Sequence, residues 1–578
     1  MSKRDFFIPK MYYKLLIPSF FSSLGFAFAD MADALVVGNT MGESGLAAIS
    51  LCLPLFMLIN LFMDGLGIGG SIYFSQKLGE GKSDSAVSCF NRITRATLIC
   101  GILIAILINA FAPLVLRLLG TTQSDGELYY ACKSYMRIIA LGAPLLMLNI
   151  VFSNFLRNDN NAELAARGFL IGNAVDISLN IILVIIFDMG TKGAALSTVI
   201  GSFVAICCYL PGIVSKKSNI LKLKYVKPQL RETFYCFRTG FSTSVQNLFQ
   251  LIFLLVINRT LMSLGGEDSV AIFDMMYSAS FFIIYLYNGA SEAAQPLIST
   301  FTGEQNESDC QNVLGLLKRY GLASGAAAAA LIFIFARAIS SIFGISGDVM
   351  PLAVYALRVY CVGFAFVGLN IMYEQYYQAR ENTGLTFFLV LMKSFAILIP
   401  SVLVLSRFGI KAVWLAFPLT EFITFILFLI YRRYGIKRET VFDPERILRV
   451  TIENDQRDLG ELMTRSAEFC EKWNASAQQN FYVTLIVEEI CASIIRNAMK
   501  NTSDGKIRVT LRSLENGDFM LHILDNAVVF NPFAFKAGKA DINKEFDIDE
   551  VSMMMIKNKT KEFMHRRSQG FNSLVIRI

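Results

Sequence analysis

The feature that most constrains this chain is a succession of apolar runs, each long enough to cross a bilayer, that continues to about residue 432 and then stops. The runs fall near 14–38, 47–76, 93–119, 134–156, 163–187, 193–214, 241–264, 269–299, 314–343, 351–379, 385–406 and 410–432. A hydrocarbon core of about 30 Å needs roughly 20 apolar residues as a helix, so the pattern predicts about twelve transmembrane helices. Several runs exceed that length and are expected to tilt or to extend past the bilayer. Charged residues make up only 17% of the chain, which fits a polytopic membrane protein. The two histidines, His522 and His565, lie beyond the last run, so histidine chemistry inside the membrane is excluded. The cysteines have neither zinc-site spacing nor a disulfide framework, and no metal site is expected. The first run is too long for a cleavable signal peptide and ends without a small-residue cleavage pattern.

Basic residues collect at the N-terminus (Lys3, Arg4, Lys10, Lys14), after the second run (Lys77, Lys82, Arg92, Arg95), after the sixth (Lys216 to Arg238) and after the last (Arg432, Arg433, Lys437, Arg438). An even number of spans puts all four on one side, and the positive-inside tendency makes that side the cytoplasm. The net charge of +7 therefore needs no nucleic-acid partner. An internal repeat is also present. GESGLAAI (42–49) matches GEDSVAIF (266–273), and LGEGKSD (78–84) matches TGEQNESD (302–309) at the same offset of 224. Arg137, Gly142 and Asn149-Ile150 recur as Arg358, Gly363 and Asn370-Ile371 at an offset of 221. Six spans per half make the repeats parallel, and transporters built this way bind substrate between the halves.

Two carboxylates, Asp30 and Asp33, lie three residues apart in the first run and so share a helix face. A carboxylate at membrane depth is a functional-site candidate, although either residue could also sit at the interface in contact with water. Asp176 and Asn180 share a face of the fifth run, where Asp176 could equally be a buried acid satisfied by its neighbours. ADMADALVVGNTMGESGLAAISLCLP (29–54), FSQKLGEGKSD (74–84) and the six-plus-six layout resemble the multidrug and toxic compound extrusion (MATE) family over residues 10–435. The resemblance implies a secondary antiporter that exports organic cations or drugs, driven by sodium or protons, with no other cofactor. It aligns Asp33 with the family's first-helix acid and Asn180 with its fifth-helix asparagine. Gln250 stands where some members carry a seventh-helix glutamate, and Glu374 is the acid of the tenth helix. Tyrosines of the second half, Tyr373 among them, could line a substrate cavity by cation–π contact.

From residue 440 the character changes. The predicted order is strand (447–453), helix (457–473), helix (476–500), strands (506–513 and 518–525), a lid-like loop with a helix (about 549–563) and a closing strand (571–577). This describes an α+β domain. VEEICASIIRNA and ILDNAVVFNPF resemble the ATPase domain of histidine kinases and anti-sigma-factor serine kinases. The resemblance places Glu489 in the first nucleotide box, Ser493 where that family has a magnesium-holding asparagine, and Asp525 and Asn531 in the second box. Asp525-Asn526-Ala527 replaces D-x-G, and residues 547–557 hold no glycine but carry Asp547, Asp549 and Glu550, which would repel phosphate. Loss of kinase or ATPase activity is expected and ATP binding is doubtful, which leaves a regulatory module that docks a cytosolic protein or binds an adenine ligand weakly through Asp525, the family's adenine-recognising acid. No P-loop is present, so an ATP-driven pump is not supported.

The expected organisation is a lobe over 1–220, a second lobe over 221–439 and a cytoplasmic domain over 440–578. The expected setting is a bacterial inner membrane with both termini in the cytoplasm. Two other readings remain open: a transporter-derived sensor that signals through its tail, and an exporter of lipid-linked glycans.

Overall fold

The computed structural model describes the chain apart from residues 1–5, 120, 124–125, 215–219, 435–443, 454–455, 500–503, 534–555 and 557–559, and apart from the side chains of 27–47, 444, 456 and 568. It forms two compact units: residues 1–79 with 84–437, and 80–83 with 438–578.

The larger unit is all helix, as a lipid environment demands, since every backbone polar group must be satisfied within its own segment. Its first half comprises α1 (Phe7–Gly79), α2 (Ser83–Ala110), α3 (Ala112–Leu118), α4 (Glu127–Asn158), α5 (Ala162–Asn180) with a π-helical continuation Ile181–Ile186, and α6 (Gly190–Val214). The second half comprises α7 (Leu230–Ser244), α8 (Gln246–Gly303), α9 (Glu307–Ile334), α10 (Ala336–Ile342), α11 (Met350–Ala379), α12 (Thr383–Leu391), a π turn Met392–Ala396, α13 (Leu398–Leu405), α14 (Ile410–Val413) and α15 (Ala416–Tyr434). Ten helical runs among the described residues are long and apolar enough to span a membrane. One of them, Leu230–Gly303, holds two spans, because α8 breaks at Gly265-Gly266, where Gly266 adopts φ 63° and ψ −155°, a conformation open essentially to glycine alone. The described arms of α1, 7–26 and 48–79, both reach one cavity, through Ser22 and Phe26 and through Asn60 and Asp64.

The repeat organises the packing. Near the end of α1, a Cβ on Gly79 would lie 2.0 Å from the Thr300 carbonyl oxygen of α8; a Cβ on Gly303 would lie 2.1 Å from that of Gln76. Each contact maps onto the other by the offset of 224 that relates the two halves, so this crossing lies on the pseudo-two-fold axis. Gly81 and Gln305, at the same offset, both have positive φ (80° and 52°), as do Asn160 and Glu381 (66° and 59°) at an offset of 221. Gly79→Ala or Gly303→Ala is expected to force the crossing apart and to weaken this contact by about 1–3 kcal/mol. The two variants should lower the thermal midpoint in detergent and the transport rate equally, because the positions are equivalent.

The smaller unit is a five-stranded antiparallel sheet of order β1-β2-β3-β5-β4, with two helices. The strands are β1 (Ile447–Glu453), β2 (Lys506–Ser513), β3 (Phe519–Asp525), β4 (Glu562–Ser568) and β5 (Phe571–Arg577). The helices are α16 (Gln456–Lys472) and α17 (Ala477–Ala498), and α17 starts on a reciprocal Ser476–Gln479 capping box. Val483, Ile486, Val487, Ile490 and Ile494 of α17 join Ile507, Val509, Leu511, Leu521, Ile523, Leu574 and Ile576 of the sheet in one core. The helix expected over about 549–563 falls mostly outside the described residues, and its end is incorrect: Glu562 and Phe563 begin β4. β4 pairs with β5 through a tight turn at Gln569-Gly570, both at positive φ (51° and 91°).

Candidate functional site

A cavity of about 460 Å³ lies between the two halves of the larger unit. The repeat dictates its lining. Asn60 and Ile284, Asp64 and Asn288, and Ile68 and Glu292 face it as pairs at the offset of 224, from α1 and α8. Ile150 and Ile371, Ser153 and Glu374, and Asn154 and Gln375 do so at an offset of 221, from α4 and α11. Chemistry departs from symmetry within this frame, since each charged member faces a neutral counterpart.

Seven amides (Asn60, Asn154, Gln246, Asn247, Asn288, Gln295, Gln375) and five hydroxyls (Ser22, Ser153, Thr243, Ser244, Tyr285) line the cavity. Its two bases are both paired. Arg157 Nη1 lies 2.8 Å from Glu292 Oε2 and so joins α4 to α8 across the halves. Lys393 Nζ, on the π turn, lies 2.6 Å from Glu374 Oε2 on α11. Asp64 is the remaining acid. Asn247 hydrogen-bonds to it, and among the described residues no base pairs with it. The cavity thus carries one carboxylate beyond its ion pairs, near the middle of the arm 48–79.

A chamber of about 160 Å³ in the first half shares Phe26, Asn60, Met63, Ile150 and Phe169 with the central cavity. Asp176, Asn173, Asn149, Thr198 and Ser202 line it, and Asn149 Nδ2 donates to Ser202 Oγ at 3.4 Å. Asn180 is buried at the start of the π-helical segment and does not line this chamber. Asp30 and Asp33 belong to α1, but their side chains lie outside the described residues.

A third chamber, about 190 Å³, lies in the second half and is lined by Phe253, Tyr277, Phe281, Tyr360 and Phe417. Gln250 donates to the Tyr277 hydroxyl there, and Glu421 Oε2 accepts from Asn370 Nδ2 at 2.6 Å. Asn370–Glu421 is the repeat counterpart of Asn149–Ser202, at offsets of 221 and 219. Lys393 faces both this chamber and the central cavity.

Gln250, expected in the substrate cavity, lines the aromatic chamber, which adjoins the central cavity at Gln246, Ile284, Ile371 and Lys393, whereas Glu374 lines the central cavity itself. Tyr373 lines none of the three. One residue along a helix turns a side chain by about 100°, which takes Tyr373 away from the direction of Glu374. Its ring packs 4.7 Å from that of Phe428, and its hydroxyl accepts from Lys318 Nζ at 3.5 Å. Sequence reasoning missed Asp64, Arg157, Glu292, Lys393 and Glu421, although Asp64, Glu292 and Glu421 stand inside apolar runs by the same criterion that flags Asp33.

In the smaller unit, Glu489 and Ser493 lie one turn apart on α17. Ser493 is buried, and its hydroxyl accepts from Asn497 Nδ2 at 3.3 Å. Asp525 ends β3, and its Oδ1 accepts from the Ala527 backbone N–H at 2.9 Å and from Asn572 Nδ2 at 2.8 Å. The acid offered for adenine recognition is thus engaged within the fold. Asn531 Oδ1 accepts from the Phe533 N–H at 3.0 Å, which closes a local turn. Burial pushes the Asp525 carboxyl up to about 6, against an ordinary aspartate near 3.8, and the hydrogen bond from Asn572 offsets part of that rise.

The native form of this unit therefore holds a proton that the unfolded chain has lost between about pH 4 and pH 6. Stability falls as pH rises through that window, by up to about 3 kcal/mol. Asp525→Asn is expected to flatten the fall. Hydrogen exchange across β3 in the full-length protein, compared at about pH 4.5 and about pH 7, reads the difference.

The MatE family profile matches residues 18–182 and 242–404, and that of the histidine kinase-like ATPase domain matches 452–578. Among curated proteins, multidrug export protein MepA of Staphylococcus saprophyticus is 23% identical over 402 residues, which cover 69% of this chain and 87% of MepA. MepA of Staphylococcus haemolyticus is 22% identical over 439 residues, 74% of this chain and 95% of that protein. Among solved structures, an outward-facing multidrug resistance MATE transporter of the MOP superfamily superimposes with a TM-score of 0.70 at 22% identity, covering 74% of this chain and 96% of that one. A MOP superfamily transporter from Pyrococcus furiosus, described as having a binding pocket of reverse polarity, does so at 0.67 and 21% identity, covering 74% and 96%. With the family profile covering more than half of its length, the chain belongs to the MatE family of membrane transporters and carries a histidine kinase-like ATPase domain at its C-terminal end.

Proposed function

We propose that the chain is a cation-coupled antiporter that exports organic cations or drugs from a bacterial cytoplasm. The observation that carries this reading is Asp64, which among the described residues has no base beside it, in a cavity whose other described acids are paired. A lone carboxylate shielded from water gains from a cationic partner, be it a substrate, sodium or a proton. Relatives that are multidrug export proteins support the same direction. The coupling ion, sodium or a proton, is assigned to Asp33, Asp30, Asp176 and Asn180, the residues that the family resemblance and the shared helix faces single out; of these, Asp176 lines the first-half chamber. The distribution of basic residues puts both termini in the cytoplasm of an inner membrane. The tail is a regulatory module without catalytic activity, because Asp525 is engaged by Asn572 and the first box has Ser493 in place of asparagine.

Purified protein in proteoliposomes is expected to move cations saturably under an imposed sodium or proton gradient. A folded protein that moves none of a chemically varied panel under either gradient would overturn the reading. The full-length protein is also expected to hydrolyse no ATP above background; hydrolysis lost on Asp525→Ala would contradict the inactive tail.

A further inference from the structure

We infer that the central cavity selects hydrophilic cations with several hydrogen-bonding groups, of the amino-sugar type, over flat lipophilic cations. The inference rests on the exporter reading and deepens it. Sites for drug-sized apolar ligands are lined mostly by hydrophobic and aromatic side chains with a few polar groups. Here amides and hydroxyls outnumber the apolar residues Phe26, Met63, Ile68, Ile150, Phe169, Ile284 and Ile371.

The aromatic rings at this cavity do not form an open slot. Phe26 and Phe169 lie 4.0 Å apart between centroids, and Phe26 stacks on Tyr285 at 6.3 Å. Most of the rings gather instead in the adjoining chamber around Tyr277 and Tyr360, which meets the central cavity at Gln246, Ile284, Ile371 and Lys393.

A lipophilic cation would satisfy Asp64 but would strip water from the amides around it and return no hydrogen bonds. Buried polar groups left unpaired discriminate strongly, and a site built to hydrogen-bond its ligand rejects an analogue lacking those groups by roughly 10⁴-fold. A cation bearing hydroxyls meets both demands: its ammonium takes Asp64, and its hydroxyls exchange hydrogen bonds with Asn60, Asn247 and Asn288. The neutral counterpart of Asp64, Asn288, stands across the pseudo-axis at the same depth and is placed to take the uncharged end of such a molecule.

The test compares labelled glucosamine with labelled tetraphenylphosphonium in proteoliposomes of the full chain, under sodium and proton gradients in turn. Glucosamine is expected to be exchanged with kcat/KM at least tenfold above that of tetraphenylphosphonium. Asn288→Leu is expected to raise the KM for glucosamine about tenfold and to narrow or reverse the preference, which a purely structural defect would not do. Transport of tetraphenylphosphonium equal to or better than that of glucosamine would overturn the inference while the exporter reading stands. A folded protein that moves neither probe nor any other cation would remove both.

Discussion

Asp64→Asn is expected to abolish gradient-driven export while leaving the protein folded. Asparagine has nearly the same shape and can still pair with Asn247, so packing of the arm 48–79 should survive. What disappears is the one charge that, among the described residues lining the central cavity, no base cancels. Losing the partner of a desolvated cation costs about 2–5 kcal/mol, a fall of roughly 30- to 5,000-fold in affinity for a cationic substrate. The loss should appear in kcat/KM, and thermal unfolding in detergent should move little. Asp176→Asn should differ: if that chamber holds the coupling ion, the variant should still bind substrate and fail to couple it to the gradient. Direct binding set beside flux separates the two roles.

Lys393→Met is expected to be among the most destabilising substitutions in the membrane unit. Lys393 and Glu374 are both buried, with side chains 8% and 4% exposed, at 2.6 Å. Removing the lysine leaves Glu374 as an uncompensated charge, a loss of about 3–5 kcal/mol when a buried pair is broken. The double variant Glu374→Leu/Lys393→Met should recover most of that stability, because a buried ion pair replaced by apolar groups of similar volume is often close to neutral. Transport should not recover with it. Lys393 faces both the central cavity and the chamber of Glu421, and the double variant changes the polarity of each. Thermal unfolding of the single and double variants, read beside flux, tests stability and function separately.

The membrane fold is largely legible in the sequence because its cause is local. Each span declares itself by length and apolarity, and the repeat declares itself by matches such as Gly79 with Gly303. Those same offsets pair the residues that line the cavity. The site is less legible because ion pairing is not local. Arg157 falls just beyond the run 134–156 and resembles a loop charge, yet its partner Glu292 lies in the other half of the repeat. No periodicity encodes that contact. Asp64 and Glu421 stand out little because a long apolar run averages out a single acid, and the family resemblance points to other positions. In the tail, the expectation of helix fails at β4 because EFMHRRS lacks apolar alternation. It is an edge strand, where charged residues are common because they discourage pairing with other chains.

The central claim is exchange of an organic cation for sodium or a proton. The most direct measurement is ion flux evoked by substrate: proteoliposomes holding the purified chain and a sodium- or proton-sensitive dye, with glucosamine added on one side and no other driving force. The expected result is a counterflow of one of the two ions that saturates with substrate and is absent for Asp64→Asn. Substrate movement with no accompanying ion movement, in a protein shown to be folded, would contradict antiport.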